Sequence, residues 1–541
     1  MLTQERKKPM AKTFNTTADC KPHLHYMVDL TSRLIQIQQM IDKGEYFTIS
    51  RARQYGKTTT LRSLKRFLGS EYLTASLDFQ RIGTARFENE HLFSTAFTRL
   101  FIQAVHQQVI LEDAALQHAV QMLENAASDN PEFGLLELFG HLGRICGDCE
   151  KPIVLMIDET DHAASHPVFL DFLSQLRACY IDRDLAPAFQ SVILAGVYDI
   201  KNLKRKIRLE QEHQQNSPWN IAADFKIDMD FSQSDVEGML AEYEQDFHTG
   251  MNIPKIAGLL CEYTSGYPFL VSRLCQIMDE TVTGSQYFAD RAAAFTKEGF
   301  LEAVKQILLE KNTLFESLAD KLYSYPSLKE LLHAALFSGD RISFNPDNEI
   351  IGLVSMFGFV KNTDGNLAVA NRIFETRLYN LFLSEEEINS RLYAAAGMDK
   401  NQFVQNGMLD MDLILEKFMH CWAELYSHSD EKFIEDNGRK FFLLYLKPII
   451  NGTGNYYIES RTRDNGRTDI IVDYHGKQYI IEIKIWRGNE YQKRGIRQLA
   501  EYLHAYHAKK GYLLSFDFNK YKKTGIREIR YGDLCILEAV V

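Results

Sequence analysis

No apolar run in this 541-residue chain approaches the ~18–20 residues of a membrane-spanning helix, so nothing in it anchors a bilayer. The opening MLTQERKKPMAK is charged and lacks the apolar core of a secretion signal, which predicts a cytoplasmic location. The eight cysteines are scattered, as in a reducing compartment where disulfides do not persist. Cys146-Gly-Asp-Cys149 has the spacing of a zinc knuckle or redox pair, but no second Cys/His pair follows at a suitable distance, so buried thiols are expected. An excess of positive charge is also missing. With 61 Lys+Arg against 72 Asp+Glu, net −11, a protein coating nucleic acid over its whole surface is excluded. Internal repeats and low-complexity tracts are absent.

What is present is an ordinary globular composition, 45% hydrophobic and 25% charged, in a chain long enough for about three to four domains. The charge is uneven. Between Lys484 and Tyr531 there are twelve Lys/Arg against four Asp/Glu, interleaved with Tyr491, Tyr502, Tyr506, Tyr512, Phe516, Phe518 and Tyr521. Such a stretch could hold a nucleic-acid backbone beside stacked bases, or be a solvated basic helix face with an aromatic face inside.

Near the N-terminus, Tyr46–Ser50 reads as a short strand, Arg51–Gly56 as a loop, and Lys57–Leu68 as a helix, the order that a phosphate-binding loop needs. In that arrangement amides of the loop and helix start cradle phosphates, Lys57 reaches the β and γ oxygens, and the Thr58 hydroxyl ligates Mg²⁺. Arg51 stands where the usual pattern has its first glycine; Gly56 keeps the position where the backbone approaches the phosphate. Ile153–Ile157 reads as a fully buried strand ending in Asp158-Glu159, which places both carboxylates at the C-terminal edge of a sheet. Asp158 is expected to hold Mg²⁺ through its waters and Glu159 to polarise the attacking water.

The segment Ile49–Thr59, with Arg53, Gln54, Tyr55, Gly56, Lys57, Thr58 and Thr59, resembles the loop of bacterial AAA-like ATPases related to the AAA+ and STAND NTPases, where replacement of the first glycine is normal. The resemblance covers roughly residues 20–385 and implies ATP with Mg²⁺. It also implies a next core strand at Ser191–Val197 with Tyr198 or Asp199 at a sensor position, and a lid motif, Thr264-Ser-Gly-Tyr-Pro268, whose Pro268 borders the adenine. Arg273 is a weaker sensor candidate. Lys201, Lys204, Arg205, Lys206 and Arg208 form a basic run, a solvated helix face or an arginine finger for a neighbouring subunit. Residues 231–300 have helical spacing, and from Leu328 two helices precede a hairpin around Asn362-Thr-Asp-Gly-Asn366, which resembles a winged helix.

At the C-terminus, Thr468–Tyr474, His475-Gly-Lys477 and Gln478–Trp486 read as strand, turn, strand. Glu482 and Lys484, two apart, share one strand face, while Ile481, Ile483 and Ile485 point the other way. Charges in the middle of an apolar strand cost desolvation, which points to function, although a chance salt bridge is the plain alternative. Two carboxylates could bind Mg²⁺ while a lysine orients or deprotonates water for phosphodiester hydrolysis. Asp469…Glu482-Ile-Lys484 resembles the PD-(D/E)xK nuclease signature. Gln498…Tyr502 resembles the Q-x-x-x-Y motif of its RecB-type members, and Glu435, with Asp436 beside it, is the candidate acid on the first helix. Thr468 stands where the pattern has proline. This second resemblance covers roughly residues 405–541.

The expectation is therefore an α/β multidomain chain: an extension over 1–20, a P-loop ATPase core with a parallel sheet over 21–230, and a helical lid over 231–300. A winged-helix-like module over 301–385, a linker over 386–404 and a PD-(D/E)xK nuclease-like domain over 405–541 complete it. Its metal ligands would be Thr58, Asp158, Asp469 and Glu482, its cofactors ATP and Mg²⁺, and its partner nucleic acid, DNA first, with homo-oligomers open. The favoured function is an ATP-controlled, Mg²⁺-dependent nuclease, with defence against foreign DNA as the associated role. The alternative is a STAND-like signalling or assembly NTPase whose nuclease-like domain only binds nucleic acid or a partner.

Overall fold

The computed structural model describes residues 11–108, 113–197, 219–337, 342–387, 390–425, 435–451, 453–458, 470–486, 488–519 and 522–541. The side chains of 399, 435, 436, 489–491 and 505 lie outside that description. The chain divides into two compact units, residues 1–246 with 267–272 and 356–358, and residues 247–266 with 273–355 and 359–541. Among the described residues no helix is long and apolar enough to cross a membrane.

The first unit is built on four parallel strands, β1 (Phe47–Ser50), β2 (Leu73–Asp78), β3 (Ile153–Asp158) and β4 (Ser191–Gly196), in the order β1-β4-β3-β2. Helices cover both faces of such a sheet, which is why β3 and β4 read as unbroken apolar runs and bury all six residues each. Helix α1 (Lys57–Leu68) follows β1 and buries Leu61, Leu64 and Leu68 along one stripe. Three helices fill the long connection from β2 to β3: α2 (Glu90–His106), α3 (Ala114–Asp129) and α4 (Leu135–Asp148). Helix α5 (Pro167–Ile181) lies between β3 and β4. A phenylalanine cluster welds these helices to the sheet edge: Phe79, Phe93, Phe97 and Phe172 are wholly buried with ring centroids 5.1–6.4 Å apart. Helix α6 (Gln233–Phe247) meets the N-terminal segment through Phe14, Tyr26 and Tyr243, whose rings lie 5.1–5.2 Å apart.

The second unit begins with α7 (Ile253–Thr264); α8 (Pro268–Ile277) starts in the first unit and ends here. Helix α9 (Lys297–Leu309) follows, and a short hairpin, β5 (Val360–Thr363) and β6 (Asn366–Val369), turns through Asp364 and Gly365, both at positive φ, before α10 (Arg372–Glu387). Residues Arg391–Asp399, inside the stretch expected to be a linker, form helix α11 with Leu392 and Ala396 buried. Helix α12 (Glu435–Ile450) leads into a six-stranded mixed sheet. Its strands are β7 (Gly454–Ile458), β8 (Ile470–Tyr474), β9 (Lys477–Ile485), β10 (Lys510–Phe516), β11 (Gly525–Tyr531) and β12 (Leu534–Val540), in the order β7-β8-β9-β10-β12-β11. Strands β7, β8 and β9 are antiparallel neighbours, while β9, β10 and β12 run parallel, with α13 (Asn489–Ala505) crossing from β9 to β10. The β8–β9 turn is His475-Gly476, again at positive φ.

Polar contacts tie this sheet to the helices of its own unit, Tyr456 donating to Asn380 at 2.9 Å and Lys297 donating to Gln478 at 2.7 Å, while Arg439 of α12, 1% exposed, donates to the Tyr379 hydroxyl of α10 at 2.8 Å.

Candidate nucleotide site and the charged face of the C-terminal sheet

Strands β1 and β3 deliver their loops to the same sheet edge, so the helix-start amides of α1 and the two acids after β3 face one space. Gly56 makes the turn at φ +77°, and a Cβ there would meet nothing within 4 Å, so the glycine is required by conformation and not by crowding. Gln54, at φ +58°, and Glu159, at φ +54°, are non-glycine residues held left-handed at this edge, at a cost of about 1–2 kcal/mol each.

The Lys57 ammonium, 7% exposed, donates to the carbonyls of Arg51 and Ala52 at 2.9 and 2.8 Å, folding back on its own loop. Burial lowers its pKa, and Asp161, Glu159 and Asp158 pull the other way. Thr58 donates to the Asp158 carboxylate at 2.7 Å. Burial raises the Asp158 pKa against the hydrogen bonds from Thr58 and the Glu159 amide. Glu159 is raised by burial and then by the Asp158 charge. The hydroxyl and carboxylate that a magnesium ion would use thus already converge, with a lysine beside them, and the donor set is the oxygen chemistry of a hard cation. The residues present fit Mg²⁺-nucleotide.

Arg51, where a glycine would be usual, acts as a clamp: its guanidinium donates to the carbonyls of Ser50 and Ile227 at 3.0 and 3.1 Å and lies 5.6 Å over the Phe225 ring. Tyr55 bonds Asp230 and meets Tyr267 edge-on at 4.6 Å, while Tyr267 donates to the Arg53 carbonyl at 2.6 Å. Arg53 itself is exposed. Beside the loop lies a cavity of about 350 Å³ lined by Gln54, Tyr55, Gly56, Thr59 and Pro268, and also by residues that no sequence pattern marks, among them Tyr26, Val28, Arg33 and Phe231. The N-terminal segment supplies that wall and is fastened by the Cys20 amide donating to Thr59 at 3.1 Å and by Tyr26 donating to Asp246 at 2.6 Å. Behind Glu159, Thr160 donates to the Ala195 carbonyl at 3.0 Å and Asp161 accepts from the Val197 amide at 2.7 Å, locking β3 to β4. Tyr198, Asp199 and the basic run at 201–208 lie outside the described residues. Arg273 is engaged elsewhere, by both Glu310 oxygens at 3.1 and 2.6 Å and by Gln276 at 2.7 Å.

In the second unit Glu482, with no exposed surface, and Lys484, 8% exposed, form an ion pair of 2.7 Å on β9. Gly495 of α13 packs on Lys484, so that a Cβ there would sit 3.2 Å from its Cγ; Gln498 and Tyr502 lie half-buried farther along that helix. Asp469 lies outside the described residues, as does the Glu435 side chain. Among the described residues no three His, Cys, Asp or Glu side chains converge as a metal site.

A fourth acid was not singled out from sequence. Register sets Glu482 opposite Leu513 and Leu513 opposite Glu538, so the two glutamates share a row and a sheet face across β10, roughly 10 Å apart. Glu538 is completely buried and accepts from Gln492 at 2.8 and 2.7 Å, Ser515 at 2.8 Å and Arg527 at 2.5 Å. The signal that could have found it is an acid inside the apolar run Leu534–Val541.

Solved structures with similarity include a Walker-type ATPase of Pyrococcus abyssi, 12% identical, TM-score 0.45, covering 68% of this chain and 99% of that one. The ORC2 protein of Aeropyrum pernix is 10% identical with TM-score 0.38, covering 66% and 94%, and the ORC1 protein of that organism, in complex with DNA, is 12% identical with TM-score 0.29, covering 65% and 93%. No curated protein matches. The family profile described as an AAA-like domain matches residues 25–383, more than half of the chain and all of the loop, acid and strand residues just described for the nucleotide site. The chain belongs to the AAA-like domain family, whose fold is that of a P-loop ATPase.

Proposed function

We propose that the protein is an ATP-hydrolysing switch coupled to a Mg²⁺-dependent nuclease of PD-(D/E)xK type. The observation that carries the first half is the 2.7 Å bond between Thr58 and Asp158 with Lys57 and Glu159 beside it. Lys57 would leave the loop carbonyls for the β and γ oxygens, the amides at the start of α1 would hold the β-phosphate, and the 350 Å³ cavity would take the base. Glu159 would accept the proton of the attacking water, for which a pKa raised by burial and by the neighbouring Asp158 charge suits it. Magnesium, when bound, would neutralise charge on the leaving phosphates.

The second half is supported by the buried Glu482–Lys484 pair on one sheet face, next to a basic, aromatic-rich stretch. Glu482, with Asp469, would ligate Mg²⁺, and Lys484 would orient the hydrolytic water, with Gln498, Tyr502 and Glu435 as supporting residues. The contact of Lys297 with Gln478 gives the helices of this unit a hold on the β8–β9 hairpin. Nucleic acid, DNA first, is the substrate class, and defence against foreign DNA the associated role.

A second reading rests on that same ion pair: because Lys484 is already engaged by one oxygen of the buried Glu482 carboxylate, the sheet could serve as a binding module only. Labelled single- and double-stranded DNA and RNA, incubated with the purified chain with and without Mg²⁺ and ATP, separate the two. Cutting that needs Mg²⁺ and is lost in Lys484→Ala with binding retained supports the nuclease. Intact substrates with wild type under every divalent metal leave only the switch.

A further inference from the structure

Between the end of β2 and helix α2 the first unit carries a groove that neither proposed site uses. Two short 3₁₀ turns, Phe79–Arg81 and Thr84–Phe87, form one wall and α2 the other, enclosing about 420 Å³ lined by Arg81, Gly83, Thr84, Arg86, Thr95 and Arg99. A second hollow of about 530 Å³ shares Thr95 and Arg99 and continues along α2 past Thr98 toward His106, with Glu124 of α3 at its side. The two make one track along the helix.

Ile82, Ala85, Ala96 and Leu100 also line the first hollow, and it is the cationic and hydroxyl groups among them that suit an anion. Arg86 and Arg99 are exposed and have no ion-pair partner among the described residues, and Arg81 reaches only Asp78, at 3.8 Å. The Oγ1 atoms of Thr95 and Thr98 are buried with no hydrogen-bond partner among the described residues, although Thr98 is only 2% exposed. A buried hydroxyl without a partner costs stability, and an acceptor oxygen in the track would offset that cost. Guanidinium forks match phosphate oxygens in pairs. In a chain of net charge −11, three arginines along one hollow concentrate positive potential where the surroundings do not supply it. The elongated shape, two hollows joined at Arg99, suits successive phosphates of a polymer better than a single small anion.

The wall bearing Arg81 and Arg86 is also bound to the catalytic edge. Asp78 ends β2 directly opposite Asp158. His162 Nε2 lies 3.0 Å from the Ile82 carbonyl oxygen, and Phe87 stacks on His166 at 4.7 Å and meets His162 at 5.7 Å. Any ligand that moves residues 79–87 presses on the segment that follows Asp158 and Glu159.

We propose that this groove holds the sugar-phosphate backbone of a nucleic-acid strand, and that its occupancy alters ATP turnover through residues 79–87. The binding half stands apart from both hydrolytic readings; the turnover half rests on the nucleotide site being an ATPase.

The test uses the full chain carrying Lys484→Ala, so that the probe stays intact, and a fluorescent oligonucleotide of about 30 nucleotides followed by anisotropy over a salt series. Adding Arg86→Glu and Arg99→Glu should weaken binding at least about tenfold and reduce the slope of log affinity against log salt by about one to two. Thr98→Val, close in volume, should weaken it a few-fold. Basal ATP hydrolysis in the groove variants should equal that of the Lys484→Ala parent, while its response to oligonucleotide disappears in the double charge reversal. Equal affinity and slope before and after charge reversal, or no oligonucleotide binding at all, overturns the proposal. So does calorimetry in which the double variant loses inorganic pyrophosphate but keeps the oligonucleotide, since the groove would then serve a small anion. Loss of basal hydrolysis with binding lost as expected strikes only the turnover half. Unchanged melting curves exclude misfolding, and Arg86→Gln with Arg99→Gln provides a milder pair with the same expected direction.

Discussion

The phosphate-loop edge and the charged face of the C-terminal sheet both gather carboxylates and a lysine, yet they are built in opposite ways. At the first, Asp158 and Glu159 sit where a strand stops, their partners are a loop and a helix start, and backbone amides supply much of the positive field. At the second, Glu482, Lys484 and Glu538 stand inside strands, wholly or almost wholly buried, and the bonds described for them come from side chains. Strand-end charges can exchange partners when a ligand arrives. Mid-strand charges are bound into the packing of the unit, so their removal is felt first as stability.

The largest expected effect breaks the first region without touching its fold. Lys57→Ala should reduce ATP turnover by about a hundredfold or more if the ammonium now bonded to the Arg51 and Ala52 carbonyls is the one proposed to reach phosphate. Glu159→Gln should retain nucleotide binding, measured by fluorescent-nucleotide titration, while losing turnover. Equal turnover in wild type and Lys57→Ala would remove the basis of the nucleotide reading.

In the second region the counterpart is Glu538→Ala. It strands donors from Gln492, Ser515 and Arg527, and chemical denaturation should register a loss of about 2–4 kcal/mol, with Arg527, half-exposed, contributing least. Glu538→Gln should recover part of it. A loss below about 0.5 kcal/mol would show that mid-strand charges here are not structural.

Gly196→Ala probes how tightly the first site is braced. A Cβ would lie 2.6 Å from Thr160 Oγ1 and 2.9 Å from Asp161 Oδ1, the two residues that follow Glu159. Destabilisation of about 1–3 kcal/mol is expected together with slower ATP turnover, measured on the same preparation.

The smallest effect contrasts two buried carboxylates, both raised. Burial pushes Asp473 up to about 6, with a further rise from Glu302, while the Gly476 amide and the lysines 297 and 305 draw it down. Because the folded state holds this proton more tightly than the unfolded chain, the contribution is favourable at low pH and is lost as pH rises from about 4 through 6. Asp473→Asn should therefore raise stability by about 1–2 kcal/mol at pH 8 and by little at pH 4. Asp158 should behave differently: its burial cost is the one that Mg²⁺ can relieve, so melting temperature should rise with Mg²⁺-nucleotide in wild type and less in Asp158→Asn.

The nucleotide site was legible because its parts are local. Gly56, Lys57 and Thr58 are neighbours in sequence, and an apolar run ending in two acids names its own place at the edge of a parallel sheet. Arg51 read as a departure from the pattern, and only the structure explains it, as a clamp on Phe225 and Ile227. The hairpin carrying Glu482 and Lys484 was legible through its alternation and its His-Gly turn. Glu538 was not, because an isolated acid near a chain end is ordinarily a surface residue, and only pairing of β10 with β12 brings it into the row of Glu482.

Sequence by itself determined the strands at 47–50, 153–158 and 191–196, the loop between Arg51 and Gly56, the C-terminal hairpin and the residue types suited to phosphate and magnesium, since these follow from periodicity and from contacts within a few positions of one another. Tertiary structure alone decided that the N-terminal segment walls the cavity beside the loop, that Glu538 accepts from Gln492, Ser515 and Arg527, and that Arg86 and Arg99 line one track. The physical reason is that burial and charge pairing are properties of surfaces brought together from distant positions, and no local pattern encodes which surfaces those will be.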